Sequence, residues 1–393
     1  NPHQHGFVKG KSCLSNLLET MDCVIDLLEE GFPVDILFFD FKKAFDSIWH
    51  EGLFLKLLQN EIGGPFYDVL KAMYANVFSS IKINGNLTKQ FEVKSGVRQS
   101  DVLSPLLFNI FINDIIQIFE TEECCPPTLE ESKIGCLLYA DDLVILSTTS
   151  TGLQQSINKL STYCEKWKLN INMNKTKVMC LSKSQSDQIQ IECNNRKLEQ
   201  VDRYTYLGFE LTSNFSYKVM ESSLMEKARK ATFKLRSLLY DSYLKPKLCL
   251  QLFDQLIKLI CLYGSEIWGQ NVVKTSNSSN FNESLAKFES EKLNISFAKF
   301  ILGVHKKAQN SAVRGELGRL PIGIDIVANI ITYYYNINLK TKSSILTEAF
   351  ELYKSNNNKS SWVFKSQQII NYIKKNCHEV DILKRKSIIR YCI

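Results

Sequence analysis

The sequence predicts an α+β fold that gives way, past about residue 212, to an almost wholly helical one. Three observations predict it. Four apolar runs of strand length, Val34 to Phe39, Leu137 to Tyr139, Leu143 to Leu146 and Val178 to Leu181, alternate with stretches of helical periodicity. From Lys218 onward the apolar spacing is helical nearly throughout. The chain has 393 residues, 45% hydrophobic and 23% charged, which is the usage of a packed protein with room for two or three units.

The elements follow in order. Leu14, Leu17, Leu18, Met21, Ile25 and Leu28 fall at helical spacing, so Ser12 to Glu30 reads as an amphipathic helix, ended by Gly31 and Pro33. Val34 to Phe39 is a strand closed by Asp40. Gly52 to Leu58 and Pro65 to Tyr74 read as helices. Over Ser80 to Val93, Ile81 and Ile83 alternate with polar residues before the Asn84-Gly85 turn, and Phe91 and Val93 alternate after it, which predicts a hairpin. Leu103 to Phe119 reads as a buried helix, and Thr121 to Lys133, with Pro126-Pro127, as a surface loop. Two apolar strands flank Ala140-Asp141-Asp142. Leu153, Ile157, Leu160, Cys164 and Trp167 mark a helix, and Val178 to Leu181 a strand. A domain boundary is expected near Asn214 and a weaker one in the Asn- and Ser-rich stretch from Lys274 to Glu283.

The 48 basic and 41 acidic side chains leave a formal charge of +7, which permits a polyanionic partner without requiring one. Between Lys218 and Lys258 nine Lys or Arg face four Asp or Glu, an excess of nine minus four, or +5; a solvated helix face is the plain alternative. The twelve cysteines form no Cys-x-x-Cys pair and lie mostly in apolar runs, as small buried hydrophobes of a reducing compartment do. No zinc spacing, signal peptide or membrane-length apolar stretch is found. The chain opens Asn1-Pro2 without methionine and reads as a piece of a longer polypeptide.

Asp40 closes an apolar strand, and Asp141 and Asp142 sit at the tip of an apolar hairpin. Aspartate in a turn is usually turn chemistry. Here the pair ends two buried strands, and adjacent carboxylates in such a place repel unless a cation neutralises them. Magnesium favours carboxylate oxygens together with substrate phosphates. With Asp40 on the neighbouring strand, two metals about 4 Å apart could bind, the arrangement of nucleotidyl transfer.

Phe38-Phe39-Asp40-Phe41-Lys42-Lys43-Ala44-Phe45-Asp46 resembles the first palm motif of reverse transcriptases, and Tyr139-Ala140-Asp141-Asp142 their catalytic hairpin. Gly96 to Phe108 is similar to the motif between them, and Gln4-His5-Gly6-Phe7 to the end of a fingers motif. Trp167 to Lys177 resembles the fourth palm motif, and Tyr206-Leu207-Gly208 the primer-grip turn. Six motifs in order over residues 4 to 208 identify the chain as similar to the reverse transcriptases of non-LTR (LINE-type) retrotransposons. Group II intron enzymes are the nearest alternative. Leu262 to Gly269 and Gly315 to Pro321 resemble segments downstream of the polymerase in LINE-type proteins, without an assigned role.

The resemblance implies a right-hand polymerase: partial fingers at 1–33, an α+β palm with an antiparallel sheet at 34–213, a helical thumb at 214–273 and a helical C-terminal extension at 274–393. It implies an RNA-directed DNA polymerase that extends a DNA primer on an RNA template from deoxynucleoside triphosphates. Asp40, Asp141 and Asp142 would ligate two Mg2+ ions, with Mn2+ as a substitute. Phe41 would lend its backbone carbonyl, and Phe45 would crowd a 2′-hydroxyl. Gln99, at the start of the helix after the hairpin, would line the nucleotide, and Arg98 would meet phosphate or a carboxylate. Lys175 would protonate the leaving pyrophosphate. Lys9, Lys11, Tyr206, Gly208, Lys227, Lys230 and Lys234 would contact nucleic acid, the last three on a thumb helix whose other face carries Leu224, Ala228, Ala231, Leu235 and Leu238. Bland readings stand beside these: Phe45 as core, Gln99 and Lys175 as surface polar residues.

Two departures from the family pattern stand out. Ser100 occupies a position where the family has glycine, and the upstream fingers and the endonuclease are expected to be missing. Both favour a second function, a relic that binds nucleic acid without chemistry. A third reading takes the Asp-Asp hairpin as structural. Asp141→Asn separates them, since only an enzyme loses synthesis. The family further implies cytoplasmic synthesis, a nuclear site of action and no membrane.

Overall fold

In the computed structural model the described residues are 2–129, 132–181, 189–214, 216–240, 243–271, 273, 278–340, 350–351 and 361–376. They form two compact units, Asn1–Arg203 and Tyr204–Ile393. The division falls before the Tyr206-Leu207-Gly208 turn rather than near Asn214, because that turn packs with the helices that follow it. The stretches expected as thumb and as C-terminal extension lie together in the second unit, and residues 274–277 of the weaker boundary are outside the described residues.

Helix α1 (Cys13–Glu30) begins at Ser12, whose side chain accepts from the Ser15 amide in a capping box, and ends at left-handed Gly31. The strand β1 (Val34–Asp40) is buried on both faces up to its last residue, which is why its sequence is a continuous apolar run. Helices α2 (His50–Gln59) and α3 (Gly64–Tyr74) follow. The expected hairpin is two short ribbons, one nested in the other: Phe78–Ser79 pairs with Phe91–Glu92, and Lys82–Ile83 with Asn86–Leu87 around the Asn84-Gly85 turn, both at positive φ. The expected helix from Leu103 splits into α4 (Ser104–Phe111) and a 3-10 segment, Asn113–Ile118. The expected loop before Lys133 holds a 3-10 turn at Glu122–Cys124 and a ribbon of Thr128–Leu129 with Ser132–Lys133.

Strands β2 (Cys136–Tyr139) and β3 (Asp142–Ser147) form the tight hairpin, followed by α5 (Ser150–Lys166), β4 (Lys177–Leu181) and β5 (Glu199–Gln200). The five-stranded sheet has the order β5-β4-β1-β3-β2. It is antiparallel except at its edge, where β5 runs parallel to β4. Leu37 and Phe39 join the large apolar cluster with Leu153, Ile157 and Leu160 of α5. Ile36 and Phe38 point the other way and are buried too.

Residues 3 to 5 run parallel to β2, an arrangement without a signal in the local pattern. The Leu138 amide donates to the His3 carbonyl (2.9 Å) and the His5 amide to the Leu138 carbonyl (2.8 Å). The buried His5 ring sits between Ser15 Oγ (2.7 Å) and Glu19 Oε2 (3.0 Å) on α1. His3 is buried with Nδ1 3.0 Å from the Cys136 carbonyl. Burial pulls its pKa down from 6.5 to about 4, so its 3.4 Å approach to Glu120 is not an ion pair at neutral pH. A lowered imidazole pKa costs stability as pH falls, because the unfolded chain takes a proton that the folded one refuses. Urea unfolding is therefore expected to show a loss approaching about 3 kcal/mol from this group between pH 6.5 and 4. In His3→Gln that part of the profile should flatten.

In the second unit, β6 (Arg203–Tyr206) and β7 (Phe209–Thr212) form a ribbon against α6 (Tyr217–Tyr240). The remaining helices pack around α6 and around the long helix Ile322–Lys340. Among the described residues no single helix is long and apolar enough to cross a membrane.

Candidate active site

The register of the sheet assembles the carboxylates. Asp40 at the end of β1 is the Cα partner of Asp142 at the start of β3, and Tyr139 closes the hairpin opposite Asp142. Asp141 lies in the two-residue turn beside Ala140, which has φ +56. Partial burial and then the charge of Asp40 raise the Asp141 pKa. Partial burial, Asp141 and Asp40, in that order, push Asp142 up to about 6 although it stands open at the mouth of the site. The cost of this crowding falls on the ionised forms of Asp141 and Asp142.

The fourth motif wraps Asp40. The Asn172 amide nitrogen Nδ2 donates to Asp40 Oδ2 (2.8 Å), and Lys175 Nζ lies 3.3 Å from Oδ1. The Asn172 backbone N–H donates to the Asp40 carbonyl (2.9 Å), and the Asn172 carbonyl accepts from the amides of Lys175 and Thr176. This explains a difference from expectation. Among the described residues no three His, Cys, Asp or Glu side chains stand together in ligand geometry. Asp40 is turned toward Asn172 and Lys175 instead. Phe41 is buried in a bridge to Ile171 that uses the Lys42 amide and the Asp40 carbonyl, so its own carbonyl stays outside the bridge.

Phe45 starts a 3-10 turn, Phe45–Ser47, rather than a helix, and its half-buried ring stacks on Phe108 of α4 with centroids 4.5 Å apart. The middle motif is pinned to this turn. The Gly96 and Val97 amides donate to the carbonyls of Ile48 (2.8 Å) and Phe45 (2.9 Å). Gly96 has φ +90, and a Cβ there would lie 2.8 Å from the Asp46 carbonyl oxygen. Gln99 is not on a helix start. It lies in the loop before α4, exposed, with Nε2 donating to Asp46 Oδ1 (2.9 Å). Among the described residues Arg98 pairs with no carboxylate: it donates to the Met73 carbonyl (2.7 Å) and lies over the Tyr74 ring. A groove of about 570 Å³ runs alongside, between His50, Tyr74, Phe78 and Gln99.

Ser100 adopts φ +67, the left-handed conformation that glycine tolerates and a side chain resists. The strain is about 1–2 kcal/mol, offset in part by the roughly 0.5–1 kcal/mol of chain entropy that a glycine would lose. Ser100→Gly is therefore expected to raise the urea midpoint slightly. An unchanged midpoint would count against strain at this residue.

The expected nucleic-acid contacts divide. Lys9 is exposed, whereas Lys11 donates to the Pro2 carbonyl of its own segment. In the second unit Tyr206 is buried and belongs to the core, while Gly208 is exposed at the turn. Lys227, Lys230 and Lys234 are exposed on α6, with Lys230 paired to Glu226 (2.6 Å). Leu224, Ala228 and Leu235 are buried as expected, but Leu238 is 77% exposed and Leu239 takes its place inside. The unassigned segment around Gly264 supports the turn. The Tyr263 hydroxyl donates to the Leu207 carbonyl (2.8 Å), and its ring stacks on Phe209. A Cβ on Gly264 would fall 1.9 Å from the Phe209 ring. Arg319 of the other unassigned segment pairs with Asp254 and with the Asn294 side chain. In the groove beside it the Arg319–Asp254 and Lys258–Asp325 charges cancel in pairs.

Residues 1–211, more than half of the chain, match the family described as reverse transcriptase (RNA-dependent DNA polymerase). The chain belongs to the reverse transcriptase family. The probable RNA-directed DNA polymerase from transposon BS of Drosophila melanogaster is 25% identical over 292 residues, which cover 71% of this chain and 31% of that protein. The RNA-directed DNA polymerase from the mobile element jockey of Drosophila funebris is 24% identical over 242 residues, 60% of this chain and 26% of that protein. The chain spans less than a third of the length of these relatives. A solved telomerase from Candida tropicalis, in complex with a TWJ fragment of telomeric RNA, aligns over 89% of this chain and 53% of its own with a TM-score of 0.41 and 12% identity. The reverse transcriptase resemblance read from residues 4 to 208 and the matched family coincide. The sheet carrying Asp40, Asp141 and Asp142 lies within the matched residues.

Proposed function

We propose that this chain is the RNA-directed DNA polymerase of a non-LTR retrotransposon, extending a DNA primer on an RNA template. The single observation that carries the reading is the register that sets Asp40 opposite Asp142 beside Asp141. The donor set fits a hard divalent cation. It consists of carboxylate oxygens, with Asp142 pushed up to about 6 first by partial burial and then by the charges of Asp141 and Asp40, and Mg2+ favours such ligands. Asp40, Asp141 and Asp142 would hold two Mg2+ ions, or Mn2+ in their place. A metal held there would supply charge stabilisation for phosphate oxygens and would make a primer 3′-hydroxyl more nucleophilic.

The chain's own residues do the rest. Lys175 reaches the carboxylates on a long, two-thirds exposed side chain, suited to giving a proton to departing pyrophosphate. The outer edge of Phe45 would crowd a 2′-hydroxyl, and Gln99 with the Phe41 carbonyl would line the deoxynucleotide. Arg98 is assigned to bracing the Gln99 loop through Met73 rather than to phosphate. Lys9, Gly208, Lys227, Lys230 and Lys234 would meet the backbone of template and primer, adding affinity without reading sequence. Residues 34–213 are assigned to the palm and α6 to the thumb. Synthesis in the cytoplasm and action on nuclear DNA follow from a retrotransposon's need to copy itself into a chromosome.

The test is primer extension with an RNA template, an annealed DNA primer, deoxynucleotides and Mg2+. Extension is expected with the wild-type chain. No extension with either Mg2+ or Mn2+ while the duplex still binds, including in Ser100→Gly, would overturn the polymerase reading.

A further inference from the structure

The turn that presents Asp141 and Asp142 closes the β2–β3 hairpin in a strained conformation. Ala140 is buried, at φ +56, a conformation that an alanine resists. The two following residues are carboxylates whose charges oppose their being together. Some other part of the protein must fix this backbone.

Gln4 does so from the far end of the sequence. Its side chain is buried, and Oε1 accepts from the Ala140 amide (3.0 Å) and from the Gly6 amide (2.7 Å). Because both neighbours are N–H donors, the side-chain oxygen must face them, which fixes the orientation of the amide. Nε2 then points at the Ala140 carbonyl, 3.4 Å away. Gly6 closes the fit: a Cβ on it would lie 2.2 Å from the Ala140 nitrogen. The Gly6 carbonyl accepts from Asn109 Nδ2 of α4 (2.9 Å), so the same tripeptide ties the hairpin to that helix.

We propose that Gln4 is a positioning residue for the Asp141-Asp142 turn, satisfying both polar groups of Ala140 and so holding the two carboxylates in place for cation binding. The cation part rests on the polymerase reading given above. A neutral amide suits the task chemically. It accepts and donates at once and adds no charge beside three acids, whereas an apolar side chain would leave a buried N–H and C=O unpaired.

The test uses the full chain and two readouts. Hydrogen exchange follows the backbone of residues 138–143, and the free-ion electron paramagnetic resonance signal follows Mn2+ binding. In Gln4→Met, folded by circular dichroism, exchange at the turn is expected to speed up about tenfold or more, and half-saturation by Mn2+ to rise about tenfold. Gln4→Glu keeps both acceptor contacts and should restore protection of the Ala140 amide. Should Gln4→Met fail to fold, Gln4→Asn, which draws the amide back by one methylene, carries the same expectation. Turn exchange and Mn2+ affinity both at wild-type levels in a folded variant would overturn the proposal. If the wild-type chain binds no Mn2+ in an Asp141-dependent manner, the metal reading fails, and the exchange measurement alone decides the role of Gln4.

Discussion

Asp141→Asn is expected to cut primer extension by about 10³-fold while the variant still folds and still binds a primer–template duplex. Asparagine keeps the size of the side chain and removes one charge from the turn beside the Asp40–Asp142 pair of β1 and β3. The same change should stabilise the apo protein. Burial and the charge of Asp40 raise the Asp141 pKa, which means that its ionised form is penalised on folding above the usual carboxylate range. An inactive variant with a higher thermal midpoint in EDTA is therefore the expected pair of results, strain held at the site for the sake of chemistry. A variant that extends primers at the wild-type rate would leave the carboxylates a structural role only.

Phe45→Val should open the site to ribonucleotides, lowering the ratio of kcat/KM for dCTP over rCTP by about 10²-fold. The ring is held by its stack on Phe108, and the carbonyl of the same residue is taken by the Val97 amide, so the side chain has little freedom to yield to a 2′-hydroxyl. Loss of the stack and of ring volume should cost about 1–3 kcal/mol in urea unfolding. The two readouts separate a gate from plain core. Core alone predicts the stability loss with an unchanged nucleotide ratio.

What the sequence revealed of this molecule was what periodicity and short motifs can carry. Helix α1 with its Ser12 cap, the all-apolar β1 and the hairpin around Asp141-Asp142 each depend on neighbours in the chain, and each stands where the pattern put it. Motif matching singled out Lys175, but its contact with Asp40 was not foreseen. Partners chosen across the chain were not legible. Arg98 spends its guanidinium on a backbone carbonyl, Tyr206 turns inward and Leu238 outward, and residues 3 to 5 add themselves to β2. In each case the deciding interaction joins residues distant in sequence, or turns on a rotation of a helix face too small for composition to register. Ser100 is the intermediate case. Its departure from glycine could be read directly, but only the backbone shows that the glycine conformation was kept.

The central place of β1 in the sheet bears on how the chain is made. Both of its partners, Asp142–Ser147 and Lys177–Leu181, are translated more than a hundred residues after it, and residues 3 to 5 wait longer for β2 than β1 does for Asp142–Ser147. Until then a strand as apolar as Ile36 to Phe39 has no native edge to pair with. Such non-local topologies fold slowly, and their unpaired strands seek other chains. Products that terminate before Leu181 will therefore be sticky polypeptides rather than weak enzymes, substrates for chaperones and proteases. The yield of finished polymerase in a cell will depend on how quickly ribosomes traverse that interval.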